Sequence, residues 1–206
     1  MIVDDHVRAF IAVELPDEVK DALSKVEARI ARRVSAALGA DAADKAIKWV
    51  DPRGVHVTMK FLGAVPASRL SLIERSLYRA VGNVQQLHIE VADLGAFPNP
   101  RRPRVLWVGL RGDLEELEKL HSLVDAEMAR LGFPAEARPF SPHITLARLR
   151  ETASPEERQK IGEVLEADSG PVPVPVHVGA ISLMRSELSR AGARYTRLAH
   201  FPLATE

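Results

Sequence analysis

The chain contains 206 residues, 46% of them hydrophobic, which is enough apolar material for one substantial core. Its 28 basic side chains match 28 acidic ones, and this balance excludes a global field that would draw the protein onto nucleic acid or an anionic membrane. Any polyanionic ligand must therefore be held by a local site. The absence of cysteine excludes disulfide scaffolding, thiolate metal sites and cysteine nucleophiles.

The start of the chain predicts a protein that stays in the cytoplasm. Asp4 and Asp5 lie where a secretory signal would carry basic residues. No apolar run in the sequence approaches the roughly 20 residues needed to span a bilayer. We therefore expect a soluble, intracellular protein with no membrane partner.

Strand and helix patterns alternate through the first half of the chain. Apolar and polar residues alternate over 7–14, which predicts a strand, and a cap at Asp17 predicts a helix over 17–38 that Gly39 ends. The alanine-rich segment 36–46 is compatible with a helix extension or with a loop. A strand over 48–50, a strand over 55–62 and a helix over 68–81 are predicted next.

The second half repeats this order of elements. Strands over 87–94 and 104–110 are separated by a basic, proline-rich loop over 97–103, and Asp113 then caps a helix that Gly132 ends. Alternating prolines over 171–175 are typical of an edge strand, because proline cannot donate a hydrogen bond to a neighbouring strand. The remaining predicted elements are a strand over 143–149, a helix over 154–167, and strands over 172–178, 180–187 and 194–199.

The mixed order of strands and helices favours an α+β fold over a doubly wound parallel sheet. Two short matching sequence patterns lie about half the chain apart, each in a predicted strand that a helix follows, which suggests two similar halves. We therefore predict a single domain over 1–206 with two pseudo-symmetric lobes. Each lobe is expected to contain an antiparallel-rich sheet with helices on its outer face, and the two lobes are expected to form a central cleft.

Each matching pattern contains a histidine and a threonine two residues apart. The patterns are His56-Val57-Thr58-Met59 and His143-Ile144-Thr145-Leu146. For a chain with 7 histidines and 5 threonines, chance predicts about 0.2 such pairs against ordinary composition. The repetition therefore indicates a functional motif, although a motif this short depends on its structural setting.

Strand periodicity assigns the motif side chains to faces. A period of two puts each histidine and its threonine on one face and the aliphatic residues on the other, so the aliphatic face goes to the core. The same parity puts Lys60 on the His56 face, where a solvated lysine is the simplest expectation, and makes Phe61 a core residue. Arg148 falls on the face opposite His143 unless a bulge turns it back.

Two histidines and two threonines that face one another describe a pocket for a phosphodiester. Histidine has an ordinary pKa near 6.5, so one neutral imidazole can accept a proton while a second, charged one donates. Threonine hydroxyls can donate hydrogen bonds to the non-bridging phosphate oxygens. This chemistry needs no metal or other cofactor. The other histidines have no threonine two positions on, and we interpret them as surface or packing residues: His6, His88, His121, His177 and His200.

The residues around both motifs resemble the paired signatures of the two-histidine phosphoesterases, in particular the bacterial and archaeal RNA 2′,3′-cyclic phosphodiesterases formerly called 2′-5′ RNA ligases. The motif stretches that match are 56–63 (HVTMKFLG) and 141–148 (SPHITLAR). The resemblance extends to 8–13 (RAFIAV), 103–110 (PRVLWVGL) and 183–188 (LMRSEL), followed by Tyr195. It therefore covers nearly the whole chain.

The resemblance implies an enzyme, an RNA 2′,3′-cyclic 3′-phosphodiesterase that works without a metal. It implies that His56 is the proton donor and His143 the proton acceptor, with Thr58 and Thr145 binding the phosphate. The expected product is a 2′-phosphomonoester. An RNA 5′-hydroxyl in place of water would give 2′-5′ ligation through the same groups.

Two arginines are further candidates for substrate binding. The resemblance makes Arg148 a site residue, with a structural salt bridge as the alternative, and Arg104, near Phe97 and Trp107, would add local positive charge. The expected partners are RNA ends or nucleotides with a 2′,3′-cyclic phosphate, bound by a monomer. Alternative functions are a phosphoesterase for a small cyclic nucleotide or nucleotide-sugar phosphate, and a non-catalytic RNA-binding module, although the presence of both histidines argues against the module.

Overall fold

The computed structural model of the protein describes residues 6–189 and 192–205. In chain order its elements are β1 (His6–Glu14), α1 (Asp17–Leu38), α2 (Ala40–Ala46), β2 (Ile47–Trp49), β3 (His56–Pro66), α3 (Leu70–Val81), β4 (Leu87–Phe97), β5 (Val105–Gly112), α4 (Leu114–Arg130), β6 (Ile144–Leu149), α5 (Pro155–Glu166), β7 (Val174–Val178), β8 (Ala180–Ser189) and β9 (Gly192–Pro202).

The strands form two antiparallel sheets. The first has the order β3-β1-β8-β9 and the second has the order β2-β6-β5-β4-β7. Helices α3 and α4 pack against the first sheet, whereas α1 and α5 pack against the second. This arrangement confirms the predicted α+β fold with two lobes, and β7 lies at an edge of its sheet, as its prolines predicted.

Each lobe is assembled from separate pieces of the chain. Strand β1 belongs to the first sheet, but α1 packs against α5 and β7 of the second lobe. Helix α4 follows β5 of the second sheet, but it packs against α3 and β3 of the first lobe. One continuous apolar core therefore extends through both lobes, and the ends of the predicted domain, 1–5 and 206, lie outside the described residues.

Local sequence signals explain where the helices begin and end. Helix α1 has the predicted bounds, because its apolar residues recur at helical spacing on one buried face and because Gly39 has a φ of +87°, which favours glycine. The alanine-rich segment is the helix α2, which begins directly after that glycine. Helix α5 begins with a capping box in which Ser154 and Glu157 each bind the other's backbone N–H.

Each motif strand contains a β-bulge at the fourth residue of its motif, and β3 contains a second one further along, at Leu62. In β3 the pairing with β1 passes from Thr58 to Lys60 and skips Met59. In β6 the pairing with β5 passes from Thr145 to Ala147 and skips Leu146. Because a bulge adds one residue to a strand, the side chains that directly follow it move to the other face.

The bulge at Met59 makes two of the sequence-based predictions wrong. Lys60 shares the core-facing side with Ile11, is only 4% exposed, and forms an ion pair with Asp125 of α4. Phe61 shares the opposite side with Phe10 and is 63% exposed. The predictions failed because ideal strand parity does not include the extra residue.

No helix within residues 6–189 and 192–205 is long and apolar enough to cross a membrane.

Candidate active site

The first sheet has a face that points away from the apolar core, and His56 and Thr58 lie on it. Antiparallel pairing places Thr58 opposite Ala12 and His56 opposite Glu14, so these four side chains share one side of the sheet. The bulge brings Phe61 to the same side, opposite Phe10. We call this side of the first sheet its cleft face.

The second sheet has a corresponding cleft face that carries the second motif. Thr145 lies opposite Trp107, and the bulge at Leu146 returns Arg148 to the same side, opposite Val105. His143 directly precedes β6, and its ring packs against Phe97 at 5.0 Å between centroids. The two motif strands, β3 and β6, contact each other across the lobes.

The two motif histidines form matched hydrogen bonds. Nδ1 of His56 lies 2.8 Å from the carbonyl oxygen of Gly54, and Nδ1 of His143 lies 2.7 Å from the carbonyl oxygen of Ser141. A carbonyl oxygen can only accept, so Nδ1 carries a proton in both rings. Nε2 of each ring has no hydrogen-bond partner among the described residues and is therefore available to a substrate.

The surroundings of His56 are aromatic. Its ring centroid lies 4.7 Å from that of Phe10 and 5.1 Å from that of Tyr195, which meets it edge-on at 89°. Burial among these groups lowers the pKa of His56 from its ordinary value, although the Gly54 carbonyl and the Glu14 carboxylate both act to raise it. The unliganded protein therefore favours a neutral His56.

The two motif threonines are half-buried, and their hydroxyls have no hydrogen-bond partner in the part of the chain that the structure describes. Trp107 forms the surface beside Thr145, and its Nε1–H is buried without a partner among the same residues. Its ring lies so close to Gly95 that a Cβ there would come within 2.1 Å of it. Glycine at position 95 is thus required for the tryptophan to lie flat on the cleft face.

The two candidate arginines differ in their placement. Arg148 is exposed on the cleft face, directly opposite Lys48 of β2, and neither cation has an acidic partner among the described residues. Arg104 is also exposed, but it precedes β5, and its carbonyl accepts from Leu149, whose side chain lies in the core. Alternation from Val105 puts Arg104 on the side of the sheet away from Thr145.

Sequence reasoning did not assign Glu14 to the site. Its position opposite His56 depends on strand pairing between β1 and β3, which no local pattern encodes. Lys48 and the exposed face of Phe61 were missed for the same reason, because pairing and bulges bring them to the cleft. Phe10 and Tyr195 had a signal, since both lie in stretches that resemble the two-histidine phosphoesterases.

A family model of LigT-like phosphoesterases matches the chain twice, over residues 13–107 and again over residues 108–195. The chain belongs to the LigT-like phosphoesterase family. Each of the two matches contains one of the two motifs, although neither match corresponds to a single lobe, because each lobe is assembled from both halves of the chain. Membership of this family confirms the resemblance that the motif stretches indicated.

Relatives support the same assignment along almost the full length. The RNA 2′,3′-cyclic phosphodiesterase of Methanothermobacter thermautotrophicus is 32% identical over 96% of this chain and 99% of its own length. The RNA 2′,3′-cyclic phosphodiesterase of Aeropyrum pernix is 34% identical over 74% of this chain and 84% of its own.

Solved structures of this family have the same fold. TT0787 of Thermus thermophilus superposes with a TM-score of 0.74 at 28% identity, over 97% of this chain and 99% of its own. Escherichia coli LigT, crystallised with 3′-AMP, superposes with a TM-score of 0.73 at 25% identity over 97% of this chain and 99% of its own. The two-lobed LigT-like architecture therefore applies to the whole described chain.

Proposed function

We propose that the protein hydrolyses RNA 2′,3′-cyclic phosphodiester ends to 2′-phosphomonoesters by acid–base catalysis with two histidines. The observation that carries this proposal is the matched pair of Nδ1 hydrogen bonds, because it leaves Nε2 of both rings open at the beginning of two motif strands that contact each other. The names of the relatives supply the substrate class, an RNA 2′,3′-cyclic phosphate.

The proposed step balances with water as the only co-reactant. Nε2 of His143 takes a proton from water, and the water oxygen forms a bond to phosphorus. The bond between phosphorus and the 3′ oxygen breaks, and the Nε2–H of His56 donates a proton to that oxygen. In-line attack requires donor and acceptor on opposite sides of the phosphate, which suits histidines from two different sheets.

The threonines and Arg148 would hold the phosphate during this step. The unpartnered hydroxyls of Thr58 and Thr145 can donate to the two non-bridging oxygens, where charge develops as water attacks. The guanidinium of Arg148 supplies positive charge on the same face as Thr145. Arg104 has less support as a substrate-binding residue, because it precedes β5 and alternation from Val105 predicts the side of the sheet away from Thr145. An RNA 5′-hydroxyl in the position of water would give a 2′-5′ linkage.

The protonation states also suit a phosphodiester substrate. A neutral His56 cannot act as the acid, and its pKa is lowered in the unliganded protein. The negative charge of a bound phosphodiester raises the pKa of a nearby imidazole and so favours the charged form. Substrate binding would therefore prepare His56 for proton donation.

The test is turnover of an oligoribonucleotide with a 2′,3′-cyclic phosphate end in the presence of EDTA. We expect a 2′-phosphate product, and we expect H56A and H143A each to lower the rate at least 1,000-fold, in line with general acid–base catalysis. H88A is the matched control, because His88 is exposed and hydrogen-bonded to His177 away from the motifs. A 3′-phosphate product, or an H143A variant with normal turnover, would contradict the mechanism.

A further inference from the structure

The sequence motifs are symmetric, but the strands that face them are not. Glu14 lies directly opposite His56 in the β1–β3 pair. In the second sheet the pairing of β5 with β6 runs from Trp107 opposite Thr145 to Val108 opposite Ile144 and ends there, so His143 lies just outside the paired residues. A carboxylate therefore lies opposite His56, whereas His143 has no paired residue opposite it.

Two neighbouring strands hold the Glu14 carboxylate. The Ser182 hydroxyl on β8 donates to Oε1 of Glu14 at 2.5 Å, and Nη1 of Arg197 on β9 lies 3.2 Å from the same oxygen. Ser182 is buried, and its Oγ lies 3.4 Å from Nδ1 of His200. Both groups that bind Oε1 act as donors, so they favour the ionised carboxylate in a fixed position.

Few charged groups face His56. Glu14 from β1 is the charged group that acts on its ring, Arg197 from β9 pairs with Glu14, and Tyr195 from β9 and Phe10 from β1 form the walls of its pocket. Among the described residues of β1, β3, β8 and β9, Glu14 is the only acid on the cleft face. The acid that follows on β8, Glu187, pairs with Arg185 on the other face.

We propose that Glu14 is a positioning residue that acts through His56 and stabilises its imidazolium form for proton donation, with Ser182 and Arg197 holding the carboxylate in place. This inference rests on the proposed function, in which His56 is the acid. It gives the two chemically similar motifs different roles, because only His56 has a carboxylate opposite it. Aromatic walls alone favour the neutral ring, so a nearby negative charge is needed to offset them.

The pH profile of kcat/KM tests this role. E14Q removes the charge and keeps the shape, so we expect its alkaline limb to move about one unit toward acid. Its rate would be about tenfold lower than wild type at pH 8, and the difference would disappear at a pH below the pKa of His56 in both proteins. E14D should restore most of the alkaline limb, and S182A should cause a smaller shift than E14Q.

The matched control is E187Q, which removes an acid from the opposite face and should leave the profile unchanged. An equal shift in E187Q would overturn the proposal, because it would indicate a general charge effect. An E14Q rate that falls equally at every pH would also overturn it, because a merely structural role gives that result. Thermal melts of each variant would exclude misfolding.

An NMR titration of the unliganded protein separates this inference from the proposed function. We expect the imidazole of His56, assigned with H56A, to titrate about one unit lower in E14Q than in wild type. Identical midpoints in the two proteins would overturn the proposal. If the wild-type protein fails to hydrolyse cyclic phosphates, the proposed function fails, while the titration still decides whether Glu14 controls His56.

Discussion

At the scale of single residues, two backbone carbonyls set the chemistry of the site. The carbonyl oxygens of Gly54 and Ser141 each accept from Nδ1 of the histidine two residues later. They fix the tautomer and the orientation of both rings before any substrate binds, which reduces the cost of ordering them during catalysis. The motif sequence predicts the residue types, but this hydrogen bond depends on the turn before each strand.

The two arginines provide a test at the same scale. We expect R148A to raise KM for a cyclic-phosphate oligonucleotide about tenfold, because it removes an unpaired cation from the cleft face beside Thr145. We expect R104A to change KM less than about threefold, because strand alternation puts Arg104 on the other side of the sheet. Steady-state kinetics at fixed salt measure both values. A larger effect for R104A than for R148A would contradict these placements.

At the scale of elements, periodicity was sufficient for most of the fold. The apolar spacing over α1 and the break at Gly39 predicted the first and last residues of that helix. Alternation of apolar and polar residues, together with turn signals, predicted the strands. Periodicity was insufficient where the backbone departs from ideal pleating. Lys60 and Phe61 were assigned to the wrong faces, and Arg148 was ambiguous, because a bulge in one strand depends on its pairing with the next.

The bulge at Met59 predicts opposite behaviour for two consecutive residues. K60A should lower the free energy of unfolding by about 3 kcal/mol, because it leaves Asp125 without its buried partner. The folded fraction should keep its KM, because Lys60 points away from the cleft.

F61A should behave in the reverse way. Its free energy of unfolding should change by less than about 0.5 kcal/mol, because the side chain is exposed. Its KM for an RNA substrate should rise about fivefold, because an exposed ring beside Phe10 can stack on a base. Denaturant unfolding and steady-state kinetics measure the two variants together. A loss of several kcal/mol in F61A would contradict the register that places this ring in the cleft.

At the scale of the whole molecule, the chain crosses from the first lobe to the second between β1 and α1. Contacts that hold α1 in the second lobe therefore also fix its connection to the first sheet. Asp168, just after α5, accepts from Nη2 of Arg29 at 2.7 Å and from Nη1 of Arg33 at 3.0 Å, and both arginines belong to α1. The backbone N–H of Gly170 donates to the same carboxylate. Because α1 connects β1 of the first sheet to the second lobe, this ion pair fixes the helix that links the two sheets.

The ion pair predicts a defined pH dependence of stability. Hydrogen bonds from Arg29 chiefly, and then from Gly170 and Arg33, lower the pKa of Asp168 to about 2, although burial opposes them. A lowered pKa in the folded state means that the ionised carboxylate stabilises the fold above the ordinary pKa of 3.8, and that this contribution disappears as the pH falls through about 2. D168N should therefore lower the free energy of unfolding by about 2–3 kcal/mol at pH 7.

The same variant should differ much less from wild type near pH 2, where the wild-type carboxylate is itself becoming protonated. Denaturant unfolding at pH 7, 4 and 2 measures the difference. D17N is the matched control, because Asp17 is an exposed acid of α1 that pairs with Lys20 at the surface. It should change the free energy of unfolding by less than about 0.5 kcal/mol. If D168N lowered the free energy of unfolding equally at all three pH values, Asp168 would act through packing rather than through its charge. The ion pair would then not be what holds α1 in the second lobe.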